Sequence, residues 1–194
     1  MVELAAWTDR EVLALRGPRN PVDPWRPYLW FSEWERTADG GIEEVAAIFI
    51  SNKECPFRCL YCDLWKNTTE DRVPDGAVAS QVEWALGRLP SAPHVKLYNS
   101  GNFFDDQAVS RVDRSRIAGL VAGRRTVIVE CHPKLVNRRC TQFAEGLTPE
   151  LQVAMGLETV DPQVLPRLNK QMTPDDFARA TEFLLAQGET TPKL

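Results

Sequence analysis

The chain has 194 residues, with 23 Lys and Arg against 27 Asp and Glu, a formal charge of −4, and 43% hydrophobic residues. That balance suits one soluble globular domain with or without a short appendage, and it excludes a wholly basic nucleic-acid-binding domain. No uncharged apolar run approaches the roughly 18–20 residues of a membrane-spanning helix. Glu3, Asp9, Arg10 and Glu11 break the apolar character of Met1 to Arg16, so this stretch does not read as a secretory signal.

The pattern predicts two regions, an arm over 1–43 and a core over 44–194. In the arm, Pro18, Pro21, Pro24 and Pro27 recur every third residue, which suits an extended polyproline II segment and forbids a regular helix. Trp25, Tyr28, Trp30, Phe31 and Trp34 are expected to pack along the domain or to dock a partner, and Asp39-Gly40-Gly41 supplies a turn. In the core, Val45–Ile50, Val95–Tyr98, Thr126–Val129 and Gln152–Leu157 read as short buried strands. Between and after them, Val78–Leu89, the stretch around Ile117–Val121, Leu135–Ala144, Gln163–Leu168 and Pro174–Gln187 read as helices, the last begun by Thr173 as N-cap with Pro174 at its first position.

Strands alternating with helices predict an α/β fold, a parallel sheet with right-handed crossovers. The β/α units visible here are fewer than those of a closed eight-unit barrel, which takes roughly 250 residues. A partial barrel truncated at its C-terminal side is therefore expected. A sheet ending at Leu157 would expose an edge of the kind that natural proteins cover, and would self-associate unless the arm or a partner covered it.

Five cysteines are an odd number and too sparse for a secreted disulfide scaffold, so reduced thiols in the cytoplasm are expected, serving as metal ligands. Three of them fall in Cys55-Pro56-Phe57-Arg58-Cys59-Leu60-Tyr61-Cys62, a C-x3-C-x2-C run directly after the first core strand. A cubane iron–sulfur cluster usually takes four thiolates, and three in one tight loop leave one iron open to another ligand. A structural zinc site, with Cys131, His132 or Cys140 as fourth ligand, is the alternative: a non-catalytic zinc or iron–sulfur module.

C-x3-C-x-aromatic-C after the first strand of a β/α chain resembles the signature of the radical S-adenosylmethionine (radical SAM) superfamily. The resemblance spans roughly 44–187. It implies a partial TIM-like β/α barrel with a [4Fe-4S] cluster on Cys55, Cys59 and Cys62, and S-adenosylmethionine chelating the fourth iron. The reduced cluster would cleave S-adenosylmethionine to a 5′-deoxyadenosyl radical that abstracts hydrogen from a substrate, with electrons from a flavodoxin- or ferredoxin-type donor. Tyr61 matches the aromatic that packs beside the adenine. Ser100 and Gly101, in Asn99-Ser100-Gly101-Asn102, stand where family members receive the methionyl amino group, although the common Gly-Gly-Glu form is absent. Glu130 and Glu158 end the third and fourth strands, placed to accept hydrogen bonds from ribose hydroxyls or an ammonium. The run from Gly156 through Asp161 to Lys170 is similar to the branch that includes MiaB, Elongator protein 3 and coproporphyrinogen dehydrogenase. His132 is a candidate acid, base or substrate contact, whereas Cys131, Cys140 and His94 read as structural.

Eight basic residues against Asp113 and Glu130 make the window from Ser110 to Cys140 locally +6. A solvated helical surface accounts for such a window, and an RNA phosphate face is the functional alternative.

Overall fold

The computed structural model describes residues 6–37, 39–186 and 190–193, the last four by their backbone alone. It places β1 (Leu29–Arg36), β2 (Ile42–Phe49), β3 (His94–Tyr98), β4 (Thr126–Glu130), β5 (Glu150–Ala154) and β6 (Thr190–Lys193) in one sheet, in chain order. β1 is antiparallel to β2, and every later pair is parallel. A helix follows each of the next four strands: α2 (Ala77–Leu86), α3 (Arg111–Leu120), α4 (Arg138–Glu145) and α5 (Pro174–Leu185). A further short helix, α1 (Asp9–Ala14), precedes the sheet and is closed by a capping box between Thr8 and Glu11.

Because strand order follows chain order, successive right-handed crossovers all step the same way and set their helices on one face of the sheet. The buried apolar core lies on that face. Ala46, Ile48, Val95, Leu97, Val127, Val129, Leu151 and Val153 meet Val78, Val82, Ile117, Phe143, Ala180 and Leu184 there. Alternate positions, including Phe49, Lys96, Tyr98 and Glu130, belong to the other face.

The tryptophan-rich part of the arm is a strand of this sheet. Leu29 pairs with Phe49 and Arg36 with Ile42, so the expected division at residue 43 falls inside the first hairpin. Gly40 turns that hairpin with φ +86°, a left-handed conformation favouring glycine. Trp30 meets Trp84 of α2 edge-on at 4.6 Å, while Phe31, Glu33 and Glu35 occupy the alternate positions. At the other end, β6 pairs with β5 from Leu151↔Thr190 to Ala154↔Lys193, so the edge expected to be free is covered.

Local differences have local causes. The fourth core strand ends at Ala154, ahead of Gly156. The segment expected to be one helix over Leu135–Ala144 is a 3-10 turn at Pro133–Leu135 followed by α4, because the Asn137 side chain caps the Arg139 N–H. Pro166 leaves only a 3-10 turn at Leu165–Leu168 where a helix was expected.

The proline segment is tied to the sheet by Gln81 of α2, which is fully buried. Its Oε1 accepts from Ser51 N at 2.8 Å, and its Nε2 donates to the carbonyls of Ser51 and Pro24, each at 2.7 Å. Gln81→Ala orphans the two buried backbone groups of Ser51 and the half-buried carbonyl of Pro24, an expected loss of about 1–3 kcal/mol. Urea unfolding followed by far-ultraviolet circular dichroism measures it.

Candidate metal centre

The loop after β2 leaves the sheet at the C-terminal end of the parallel strands, the end where such folds place ligands. Cys55, Cys59 and Cys62 all lie in this loop, half-buried and unbridged. None of residues 55–62 is fully buried, and the loop is held by polar anchors at both ends. Before Cys55, the carboxylate of Glu54 receives Arg16 at 2.6 Å, Arg19 at 2.6 Å and Arg58 at 3.1 Å. Further on, Leu60 N donates to Leu168 O at 2.9 Å, and Asn169 Nδ2 donates to both Arg58 O and Asp9 Oδ1 at 2.8 Å.

The loop after β3 fixes the position of Cys55. A Cβ on Gly101, whose φ is +140°, would stand 2.8 Å from both Cys55 Cβ and Cys55 Sγ, so the thiol packs directly onto that backbone. Asn102 Nδ2 donates to Cys55 Sγ at 3.0 Å, and its Oδ1 accepts from His132 N at 2.6 Å. Glu130, at the end of β4, supports the turn from below. Its Oε2 accepts from Asn99 N at 3.1 Å, and burial, only partly opposed by the nearby amides of the turn, raises its pKa above the usual range. Glu130 is thus directed at this turn.

Glu158 and Tyr61 are brought together by Lys170, whose Nζ lies 2.6 Å from Glu158 Oε1 and 3.1 Å from Tyr61 Oη. Partial burial opposes ionisation of Glu158, but the hydrogen bond and charge of Lys170 outweigh it and hold the carboxyl below its usual range. Gly156 admits this pair, since a Cβ there would strike Glu158 and lie 2.8 Å from Lys170 Nζ. The Tyr61 ring is 49% exposed and open to stacking.

Burial pushes the Cys55 thiol up to about 12 and raises that of Cys59. A metal binding there would have to displace a proton from each thiol. Among the described residues, no three Cys, His, Asp or Glu side chains are grouped to hold one metal ion. Cys131 and Cys140 lie in the apolar core, and their mutual contact, together with burial, pushes the Cys131 thiol well up. His132 stacks on Phe57 at 3.7 Å and 14°. Its Nδ1 accepts from Lys134 N at 3.2 Å, which leaves the proton on Nε2 for Lys170 O at 2.9 Å. Both ring nitrogens are therefore engaged.

Two kinds of outlier converge on this end of the sheet. The non-glycine residues with positive φ among the described residues are Ser100, Glu158, Asn169 and Gln171, and such conformations cost on the order of 1–3 kcal/mol each and cluster at ligand sites. Buried side-chain atoms without a protein partner include Ser51 Oγ, Asn52 Oδ1, both amide atoms of Asn99, and Ser100 Oγ.

The basic window from Ser110 to Cys140 is broken up by the fold. Arg116 pairs with Glu83, Arg125 with Glu43, and Arg114 and Arg139 share Asp106. Arg111 and Arg138 join the latter two around a cleft of about 950 Å3 between α3 and α4. Glu54, Asn102 and Lys170 carry no functional signal of their own in the sequence. Each lies beside a residue that the sequence singles out, but nothing short of the fold shows that they meet the cysteine loop.

No protein-family model matches the chain, and no solved structure matches it. Over 180 residues it is 19% identical to an uncharacterized protein of Methanocaldococcus jannaschii, MJ0550, a match covering 85% of this chain and 49% of that protein. The chain therefore spans about half the length of this curated relative.

Gly101→Ala forces the added methyl into Cys55 at a positive φ, and the expected result is a loss of about 1–3 kcal/mol of stability, from urea midpoints. Burial lowers His132 from 6.5 to about 4, with its hydrogen bond to Lys170 opposing. The unfolded chain then binds the extra proton between these values, so this residue's contribution is whole above about pH 6.5 and is lost as pH falls towards 4, about 3 kcal/mol in all. Stability of His132→Gln, from urea midpoints at pH 4.5 and 7, is expected to change less with pH than that of the parent.

Proposed function

We propose that the chain is a radical S-adenosylmethionine enzyme, with Cys55, Cys59 and Cys62 holding a [4Fe-4S] cluster at the open end of a partial TIM-like β/α barrel. The observation that carries this reading is the three-thiol loop at the C-terminal end of the parallel strands, with Cys55 pressed onto Gly101. The residues fit the group in chemistry. Three soft thiol donors stand in one loop, Asn102 offers an N–H to the Cys55 sulfur, and Gly101 clears space that any side chain would fill.

When bound, the reduced cluster supplies one electron to the sulfonium of S-adenosylmethionine, the hard step that a cofactor rather than a side chain performs. The chain's own residues bind and orient. Tyr61 offers its exposed ring to the adenine. The Ser100–Gly101 backbone, with the unpartnered Ser100 hydroxyl, receives the methionyl end. Glu158, kept ionised by Lys170, accepts from a ribose hydroxyl or an ammonium. Glu130 acts through the turn whose Asn99 amide it holds. The strained loops and the unpartnered Asn99 amide supply a preorganised polar lining around these groups.

The electron donor in this reading is an external flavodoxin- or ferredoxin-type protein, and the setting is the cytoplasm, where thiols stay reduced. No helix among the described residues is long and apolar enough to cross a membrane. An RNA substrate would place phosphates in the arginine-lined cleft between α3 and α4.

Anaerobic reconstitution with iron and sulfide is expected to load close to four irons per chain, and Cys59→Ala to abolish the loading. S-adenosylmethionine is expected to perturb the paramagnetic resonance of the reduced cluster, and dithionite then to release 5′-deoxyadenosine. Tightly held zinc with no uptake of iron would overturn the reading. Glu158→Ala is expected to weaken cofactor binding tenfold or more at unchanged iron content; equal loss of iron would make Glu158 structural.

A further inference from the structure

The face of the sheet away from the helices carries a cavity of about 380 Å3, within the roughly 300–1,000 Å3 usual for ligand sites. Its walls come from β1 as much as from the parallel strands. Phe49 is the centre of an aromatic group, with its ring 4.8 Å from Tyr98 and 5.7 Å from both Tyr28 and Phe31. Among these rings stand the carboxylates of Glu33, Glu35 and Glu130 and, among the described residues, one ammonium, that of Lys96.

Lys96 is 5% exposed, and its Nζ is bonded to Glu35 and lies 3.4 Å from Glu33. One positive charge is thus shared by two carboxylates, and the wall as a whole carries more negative charge than positive. The cavity also includes Ser100, whose buried Oγ has no protein partner and offers an acceptor at the end nearest the cysteine loop. Carboxylates among aromatic faces attract an organic ammonium by charge and by ring quadrupole together. They repel a carboxylate or a phosphate, because the ammonium present is already matched.

We propose that this cavity binds a small organic cation, an amine with an apolar body, between the aromatic group and Glu33. That this amine is the substrate whose hydrogen is abstracted rests on the radical reading above; that the cavity binds it does not. The antiparallel β1 strand would then serve recognition, since it brings Phe31, Glu33 and Glu35 to a face that the parallel strands alone would leave less charged.

The test is a nuclear magnetic resonance titration of the full chain with phenethylammonium, its neutral analogue 2-phenylethanol and the anion 3-phenylpropionate. Phenethylammonium is expected to saturate at least tenfold more tightly than the alcohol, and the anion to show no saturation. Glu33→Gln leaves Glu35 in place to hold Lys96, and is expected to weaken the ammonium about tenfold while leaving the alcohol unchanged. Phe31→Leu, which keeps every charge, is expected to weaken the ammonium severalfold, so the proposal stays testable if Glu33→Gln fails to fold. Binding of the anion as tightly as the ammonium, no saturable binding of the ammonium, or indifference to both substitutions would overturn the proposal.

The triple variant Cys55→Ala, Cys59→Ala, Cys62→Ala separates the two readings and is expected to keep the ammonium affinity. Ammonium binding without iron uptake would overturn the radical reading alone. Iron uptake without ammonium binding would overturn the cavity proposal alone.

Discussion

The contact between Gly101 and Cys55 is the constraint on which the candidate site depends. A cysteine in a surface loop would ordinarily take its position from the loop, but here the loop after β3 dictates it. The first amide of that second loop, Asn99 N, is held by Glu130 from β4, so the thiol is referenced to two neighbouring strands of the sheet. Asn102 extends the same framework, touching the Cys55 sulfur with one end of its amide and the His132 backbone with the other. Rigid strands thereby transmit their precision to a segment with almost no core of its own, which is how a site is held to the tolerance that chemistry needs.

Charge does the corresponding work at the root of the loop. Glu54 is nearly buried, and a lone carboxylate there would be costly. Three guanidiniums, two from the arm and one from the loop itself, compensate it and join the arm to the loop. Arg16 also lies over the buried Trp65 ring at 4.7 Å, so the same residue serves an ion pair and an aromatic face. The arm is integral to the site through these contacts and through Gln81, which ties Pro24 to the end of β2.

Much of the sheet was legible because buried parallel strands announce themselves as short apolar runs, as Val45–Ile50 and Val95–Tyr98 do. The Thr173–Pro174 start of α5 was legible because a cap is a local device. β1 was hidden by inverted polarity: its charged positions, Glu33 and Glu35, turn to the face away from the helices because a lysine from β3 meets them there, and no local pattern contains that partner. β6 is short and includes Pro192, which argues against a strand on composition alone. The cysteine motif was readable as a spacing. Two of its supports were not, since Asn102 reaches Cys55 across 47 residues and Lys170 reaches Tyr61 across 109.

The sheet adds each strand beside its predecessor, so most of its pairing is complete soon after each strand is made. The cysteine loop obeys a different clock. A single amide, Asn169 Nδ2, joins Asp9 and Arg58 across separations of 160 and 111 residues, and closing such spans is slow compared with local pairing. During synthesis the thiols therefore remain on an unclosed loop until residue 169 has left the ribosome. The cysteine loop is thus anchored only after β1 to β5 have been made, so its thiols meet the surroundings for most of the time the chain is being synthesised.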